Sequence, residues 1–114
     1  MKTLEEKRKA APCGNQELPG WAAIIKEIDE YLCTLDPNYT VEQVKEKFGT
    51  LRFYYRLTAE DITEDRMDIA QNVMALENQT ATICQECGCD SKIQTRGHGW
   101  VTTMCDDCWV KLSD

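Results

Sequence analysis

The segment Cys84–Cys108, CQECGCDSKIQTRGHGWVTTMCDDC, holds five of the seven cysteines in the chain. Cys84 and Cys87 form one C-x-x-C pair, and Cys105 and Cys108 form a second pair. Seventeen residues lie between the two pairs. Each pair can bring two thiolates to one ion from a tight turn, and this spacing is typical of zinc sites. The segment therefore predicts one structural Zn²⁺ per chain, bound by these four cysteines.

Two other side chains could replace one of these ligands. Cys89 lies two residues after Cys87, and His98 is the only histidine of the chain. The spacing favours Cys89 as a spare thiol and His98 as a loop residue, but it leaves both substitutions open. Four cysteine ligands close a zinc site to substrate, and the H-x-E sequence of zinc deaminases is missing. We expect that the protein is not an enzyme.

The composition indicates which compartment and which kinds of partner to expect. A chain of 114 residues is one domain long, and its formal net charge is −7. It contains neither an apolar leader nor an apolar run long enough to span a membrane, so we expect a cytoplasmic protein with reduced thiols. The acidic charge repels phosphates and suits a basic protein surface, so nucleic acid and membrane are not expected as partners. The identity of that partner and the oligomeric state stay open.

The rest of the chain has a mixed helix and strand pattern. Helical spacing of apolar residues predicts helices over about 20–35 and 60–78, and alternation in TLRFYYRL predicts a strand over 50–57. We expect an α+β fold in which two or three helices pack on a small β element, with a C-terminal four-cysteine zinc ribbon. The predicted units are a flexible N-terminal arm, an α+β core and a zinc-ribbon module packed on that core, over residues 1–19, 20–80 and 81–114.

Residues 41–48 fit two different structures. Val41, Val44 and Phe48 share one face of a helix, and this spacing favours a short helix. The alternative is a β-hairpin that turns at Gly49, which the periodicity does not exclude.

Two motifs resemble known families. The segment KEKFGTLRFYY (45–55), a Gly-Trp at 20–21 and a second Gly-Trp at 99–100 before the last cysteine pair resemble an uncharacterised family of short bacterial and phage or prophage proteins. This resemblance implies a zinc-bearing α+β domain from a mobile element and no known reaction. The cysteine module is also similar to the zinc finger of the DksA/TraR proteins, which bind the RNA polymerase secondary channel. Their D-x-x-D-x-A motif is matched by Asp65, Asp68 and Ala70.

We interpret the chain as a small zinc-binding protein of phage or prophage type that acts through protein–protein interaction, as an accessory, host-interaction or inhibitor factor. The alternatives are a transcription modulator that binds RNA polymerase in the DksA/TraR manner and a nucleic-acid-binding zinc ribbon. Candidate partner-binding residues lie on the acidic helix and between the cysteine pairs: Asp61, Glu64, Asp65, Asp68, Lys92, Arg96, His98 and Trp100.

Overall fold

The computed structural model describes residues 2–90, 93–96 and 101–113. Within these ranges it contains four α-helices and two separate antiparallel two-stranded sheets. The elements in chain order are α1 (Leu4–Lys9), α2 (Ala22–Leu35), β1 (Thr40–Lys47), β2 (Thr50–Arg56), α3 (Arg66–Gln79), β3 (Ile93–Arg96), β4 (Thr102–Cys105) and α4 (Asp106–Ser113). The predicted α+β class is confirmed, and the four cysteines of the two C-x-x-C pairs lie together in the C-terminal part. None of the described helices is long and apolar enough to cross a bilayer.

The core lies between α2, the β1–β2 hairpin and α3. The apolar residues of α2 recur at helical spacing, and the face that they form is covered by the rest of the core. Each buried Ile or Leu side chain stabilises the fold by about 1.5–3 kcal/mol through its removal from water. A short 3-10 turn, Pro19–Trp21, precedes α2 and buries the Trp21 ring completely. The largest fully buried side chains of the core are Trp21, Ile25, Ile28, Leu32, Tyr39, Val44, Leu51 and Ile69.

The helix predicted over 41–48 is wrong, because this segment is strand β1, paired antiparallel with β2. The register shifts at a bulge between Val41 and Gln43. The inserted residue places Val41 and Val44, three positions apart, on the same buried side of the strand. That spacing is the one a helix would produce, so the bulge explains the error. The hairpin alternative is the structure that forms.

Phe48 and Gly49 form the turn of this hairpin, with φ of +54° and +87°. Positive φ at both central residues is the geometry that best fits the twist of a hairpin, and it usually carries Asn-Gly or Gly-Gly. A residue with a side chain is destabilised by about 1 kcal/mol or more in this conformation. The turn is held by Glu46, whose buried carboxylate accepts a hydrogen bond of 2.7 Å from the Gly49 N–H.

The outer edge of β1 is covered by the N-terminal segment. Cys13 N–H donates to the Glu42 carbonyl at 2.9 Å, Val44 N–H donates to the Gly14 carbonyl at 3.1 Å, and Gln16 N–H donates to the Val44 carbonyl at 2.8 Å. Asn15 and Val44 form a parallel bridge. The polar composition that predicts a flexible arm over 1–19 did not reveal this backbone pairing.

Helix α1 fixes the same N-terminal segment from the other side. The Thr3 side chain forms a capping box with Glu6. The ammonium of Lys7 is buried, lies 3.2 Å from the Asp29 carboxylate and sits 4.0 Å above the Tyr39 ring. Arm and core are therefore joined by side-chain as well as backbone contacts.

The outer edge of β2 is covered by α3. Leu51 N–H donates to the Thr80 hydroxyl at 2.8 Å, and Phe53 N–H donates to the Glu77 carboxylate at 2.7 Å. Burial raises the pKa of Glu77, and the Phe53 N–H and the nearby Arg52 oppose this increase only in part. Both edges of the hairpin thus have partners, which blocks strand addition by another chain.

Helix α3 begins later than the predicted span of 60–78, because Asp65 is its N-cap. The Asp65 carboxylate accepts a hydrogen bond of 2.7 Å from Met67 N–H. Thr58 and Asp61 have the spacing of a local helix cap. The Thr58 N–H and hydroxyl instead donate to the buried Asp36 at 2.6 and 3.2 Å. A tertiary contact therefore replaces the expected local cap.

Candidate metal centre

The four predicted cysteines form one cluster. The Sγ atoms of Cys84, Cys87, Cys105 and Cys108 all lie within 4.8 Å of one another. The Sγ atoms of Cys87 and Cys105 are 3.7 Å apart. Tetrahedral Zn²⁺ with Zn–S bonds of about 2.3 Å places its sulfurs about 3.8 Å apart, whereas a disulfide needs about 2.05 Å. The residues therefore fit a four-coordinate metal ion.

The first pair is held in a tight turn. Gly88 N–H donates to the Cys84 carbonyl at 2.9 Å, and Cys84 N–H donates to the Cys89 carbonyl at 2.8 Å. Gly88 has φ of +82°, a conformation that glycine adopts without strain. This turn folds both thiols toward the same point.

The second pair joins a strand to a helix. Cys105 is the last residue of β4, and Cys108 lies in the first turn of α4. The free N–H groups and the positive dipole end of a helix favour negative charge, so the start of α4 stabilises the Cys105 thiolate.

Hydrogen bonds prepare the cluster for a cation. The Cys108 N–H lowers the pKa of the Cys105 thiol to about 6. Burial raises the pKa of the Cys84 thiol, but N–H donors from Cys87, Cys105 and Glu86 outweigh it, and the pKa lies below its ordinary value. Burial and the neighbouring sulfurs raise the pKa of Cys108. The charge on the neighbouring sulfurs opposes ionisation of Cys108, and a bound divalent cation would offset that repulsion.

Cys89 lies beside the cluster but is not one of the four clustered thiols. Its side chain helps to lower the pKa of the Cys105 thiol. It is half-buried and packs with the small apolar cluster of the module. Cys89 therefore packs next to the four-thiol cluster and is not part of it. The other candidate substitute, His98, lies outside the described residues.

The first cysteine turn packs directly on the start of α2. Gly20 N–H donates to the Gln85 carbonyl at 2.8 Å, and Trp21 Nε1–H donates to the Ile83 carbonyl at 2.7 Å. A Cβ added at Gly20 would lie 2.0 Å from the Cys84 carbonyl oxygen. Only glycine fits at this contact, so Gly20 sets the approach of the cysteine module to the core.

Strand β4 connects the cysteine module to the β1–β2 hairpin. The Thr103 hydroxyl is buried and donates to the Gly49 carbonyl in the hairpin turn. Thr103 N–H donates to the Gln85 side chain at 3.0 Å, and Gln85 N–H donates to the Thr103 carbonyl at 3.0 Å. The cysteine cluster and the hairpin turn are therefore linked through one short strand.

The acidic candidates for partner binding lie before and at the start of α3. Asp61, Glu64, Asp65 and Asp68 are all exposed. Asp65 has a local role as N-cap, and Asp68 lies in the first helical turn, where negative charge is favoured. Capping and the helix dipole account for these two acids without a partner.

The candidates between the cysteine pairs are only partly described. Lys92, His98 and Trp100 lie outside the described residues. The Arg96 guanidinium pairs with Asp106, donates to the Met104 carbonyl at 3.1 Å and lies 5.7 Å from the centre of the Trp109 ring. Arg96 thus joins β3 to α4 inside the module.

Sequence reasoning did not assign Gly20 and Thr103 to the site. The Gly-Trp at 20–21 was visible as a motif, but nothing local indicates that it supports a cysteine turn more than sixty residues away. Thr103 lies in a four-residue strand whose last three residues are all buried, so no alternation of exposed and buried positions indicates its contact.

Comparisons with protein-family models, curated proteins and solved structures found no match to this chain. Its class is therefore defined by its own fold and site. It is a small α+β protein with a closed four-cysteine cluster that could hold a metal ion.

Proposed function

We propose that the protein binds one structural Zn²⁺ through Cys84, Cys87, Cys105 and Cys108 and acts by binding another protein. The observation that carries this proposal is the four-thiol cluster, with its Sγ atoms within 4.8 Å of one another. Zinc accepts four thiolates in a tetrahedron without redox chemistry, and soft sulfur ligands select it over magnesium or calcium.

A structural role for the metal follows from how the cluster is attached. One cysteine turn packs on Gly20 and Trp21, and β4 holds the hairpin turn through Thr103. Metal-binding energy would therefore stabilise the hairpin as well as the module. Four cysteine ligands leave no open position for substrate or water, so a binding role is favoured over catalysis.

The environment of the thiols supports the choice of zinc and a reducing compartment. All seven cysteines are free thiols. In the cytoplasm such thiols stay reduced, and clustered pairs bind metal more often than they oxidise. The resemblance of residues 45–55 to phage and prophage proteins favours a host protein as the partner.

Metal content tests the first half of the proposal. Protein purified without chelator should contain one zinc per chain by elemental analysis, and Co²⁺ exchange should give the visible spectrum of a tetrahedral thiolate site. Cys87→Ser should lose the metal or bind it far more weakly, whereas the matched control Cys13→Ser, at an exposed cysteine outside the cluster, should keep it. Substoichiometric zinc in the native protein, or loss of zinc with Cys13→Ser, would refute the site.

Partner capture tests the second half. Immobilised native protein and a Cys105→Ser variant should be exposed in parallel to lysate of the source organism, and bound proteins identified by mass spectrometry. One protein should bind the native chain stoichiometrically and be lost with the variant. Recovery of nucleic acid in place of protein, or of no zinc-dependent partner, would refute the binding role.

A further inference from the structure

The outer face of the β1–β2 hairpin is basic, in a chain whose formal net charge is −7. Lys45 lies directly opposite Arg52, and Lys47 lies on the same face, whereas Glu46 points into the core. None of these three cations forms a salt bridge with a described residue. Like charges directly opposite each other destabilise an antiparallel pair. The nearby Glu77 carboxylate offsets this for Arg52, but it forms no salt bridge with Lys45 or Lys47.

Phe48 extends from the end of this basic face. Its ring is 74% exposed although its backbone is in the left-handed region, which a bulky residue rarely adopts. The turn is held by Glu46 and Thr103 through backbone groups of Gly49, and the Phe48 ring lies 5.7 Å from the Lys47 ammonium on the basic face. Asparagine would suit this position better, and neither burial nor turn geometry explains the phenylalanine.

A shallow groove of about 400 Å³ runs from Phe48 between β2 and α3. Its apolar lining includes Tyr54, which is 43% exposed, and Met74, which is 50% exposed. Aromatic and methionine side chains are enriched where proteins bind one another, and arginine often accompanies them. Lys47 and Arg52 also line this groove.

We propose that this surface is the docking site for an acidic protein segment that inserts an aromatic or aliphatic side chain into the groove. The surface, called the basic hairpin surface, consists of three exposed apolar side chains with three cations beside them: Phe48, Tyr54, Met74, Lys45, Lys47 and Arg52. The proposal rests on the proposed protein-binding function and assigns it to a face. It also replaces the acidic helix start as the surface that contacts the partner.

Charge and topology determine the kind of partner. Three cations attract a short acidic stretch, and the apolar groove supplies the contact area that anchors it. The partner cannot bind by adding a strand, because both edges of the hairpin are already paired or capped. A nucleic acid strand is a poorer fit. Its continuous phosphates would also meet the exposed acids Asp65 and Asp68 at the start of α3, which borders the groove.

An unbiased peptide selection tests the proposal. A random twelve-residue peptide library should be panned on the zinc-loaded native protein, without counter-selection against any variant. Enriched peptides should carry net negative charge and at least one aromatic or large aliphatic residue. A synthetic copy should bind at least tenfold more weakly to Phe48→Asn and to Lys45→Gln/Arg52→Gln, with affinity falling as salt increases. Met67→Asn and Lys26→Gln, exposed changes outside the groove, should bind like the native protein.

Phe48→Asn keeps the turn conformation, so its melting temperature should equal or exceed that of the native protein. Weaker peptide binding by this variant is then due to loss of the Phe48 ring. Basic or neutral selected peptides, or equal binding by the two surface variants, would overturn the proposal. So would fluorescence polarisation showing that a twelve-nucleotide oligo-dT binds the surface more tightly than the peptide. If the captured partner still binds Phe48→Asn normally, only this surface is wrong. If no zinc-dependent partner exists, the proposed function itself fails.

Discussion

Gly20→Ala tests how the cysteine module is joined to the core. The added Cβ would lie 2.0 Å from the Cys84 carbonyl oxygen, 2.6 Å from Gly88 N and 2.7 Å from the Gln85 carbonyl carbon. All three atoms belong to backbone, so no side-chain rotation relieves the contact. Either the first cysteine turn or the start of α2 must move by more than an ångström, since Cβ contacts below about 3.0 Å do not occur.

The expected loss of stability follows from the contacts that this movement breaks. The Gly20 N–H bond to Gln85 at 2.8 Å and the Trp21 Nε1–H bond to Ile83 at 2.7 Å both cross the junction. Each contributes about 1 kcal/mol, and a donor left buried without an acceptor is destabilised by about 1–3 kcal/mol. With about 1–3 kcal/mol from overpacking, the free energy of unfolding should fall by roughly 3–5 kcal/mol. For a chain of this size that is a decrease in melting temperature of roughly 10–20 °C.

Thermal unfolding followed by circular dichroism measures this effect, and elemental analysis of the same samples measures zinc. Gly14→Ala is the control, because Gly14 has φ of +114° and open space around its Cβ position. Gly14→Ala measures the effect of backbone strain without a steric clash, and this strain should lower the free energy of unfolding by about 1 kcal/mol. A Gly20→Ala protein that melts as high as Gly14→Ala and keeps its zinc would refute the steric reasoning.

Three further changes probe the hydrogen bonds of the structure. Asp36 is buried, which raises its pKa, but four hydrogen bonds outweigh this effect and the pKa lies below 3.8. Asp36→Asn should therefore lower the free energy of unfolding by about 2 kcal/mol at pH 7. In urea titrations this difference should vanish as the pH falls through the lowered pKa, and a constant difference would contradict the assignment. Burial raises the pKa of Glu77, so Glu77→Gln should be at least as stable as the native protein at pH 7. Its relative stability should decrease as the pH approaches 4.5, and a loss above about 1 kcal/mol at pH 7 would show that the charge is needed. Thr103→Val removes the donor to Gly49 and should lower the free energy of unfolding in urea by about 1–2 kcal/mol. The control is Thr102→Val, which should not be less stable, because the buried Thr102 hydroxyl has no partner among the described residues. Equal losses in the two variants would contradict this prediction.

The features that could be predicted from sequence are local ones. The C-x-x-C spacing identified the four clustered thiols, because two short turns around one ion need only neighbouring residues. The spacing of apolar residues found α2, and the alternation of Leu51 and Phe53 with outward residues found β2. These predictions were correct because the apolar faces identified in the sequence are the faces that pack into the core.

The features that could not be predicted depend on distant residues. The bulge at Val41–Gln43 gave a strand the spacing of a helix, so only the pairing with β2 could identify it. Asp36 occupies the donors of Thr58 and moves the start of α3 to Arg66. The two contacts that attach the cysteine cluster, at Gly20 and Thr103, are invisible for the same reason, since each joins segments far apart in sequence.

The pairing of residues 13–16 with β1 has a practical consequence for anyone preparing a minimal fragment. A fragment that starts at Gly20, where the helical pattern begins, would lose Leu18 but retain the rest of the buried apolar core and all four clustered cysteines. It would also uncover the backbone groups of Val44, now bonded to Gly14 and Gln16. Such a fragment should self-associate in a concentration-dependent way, through the exposed strand, even with its zinc in place.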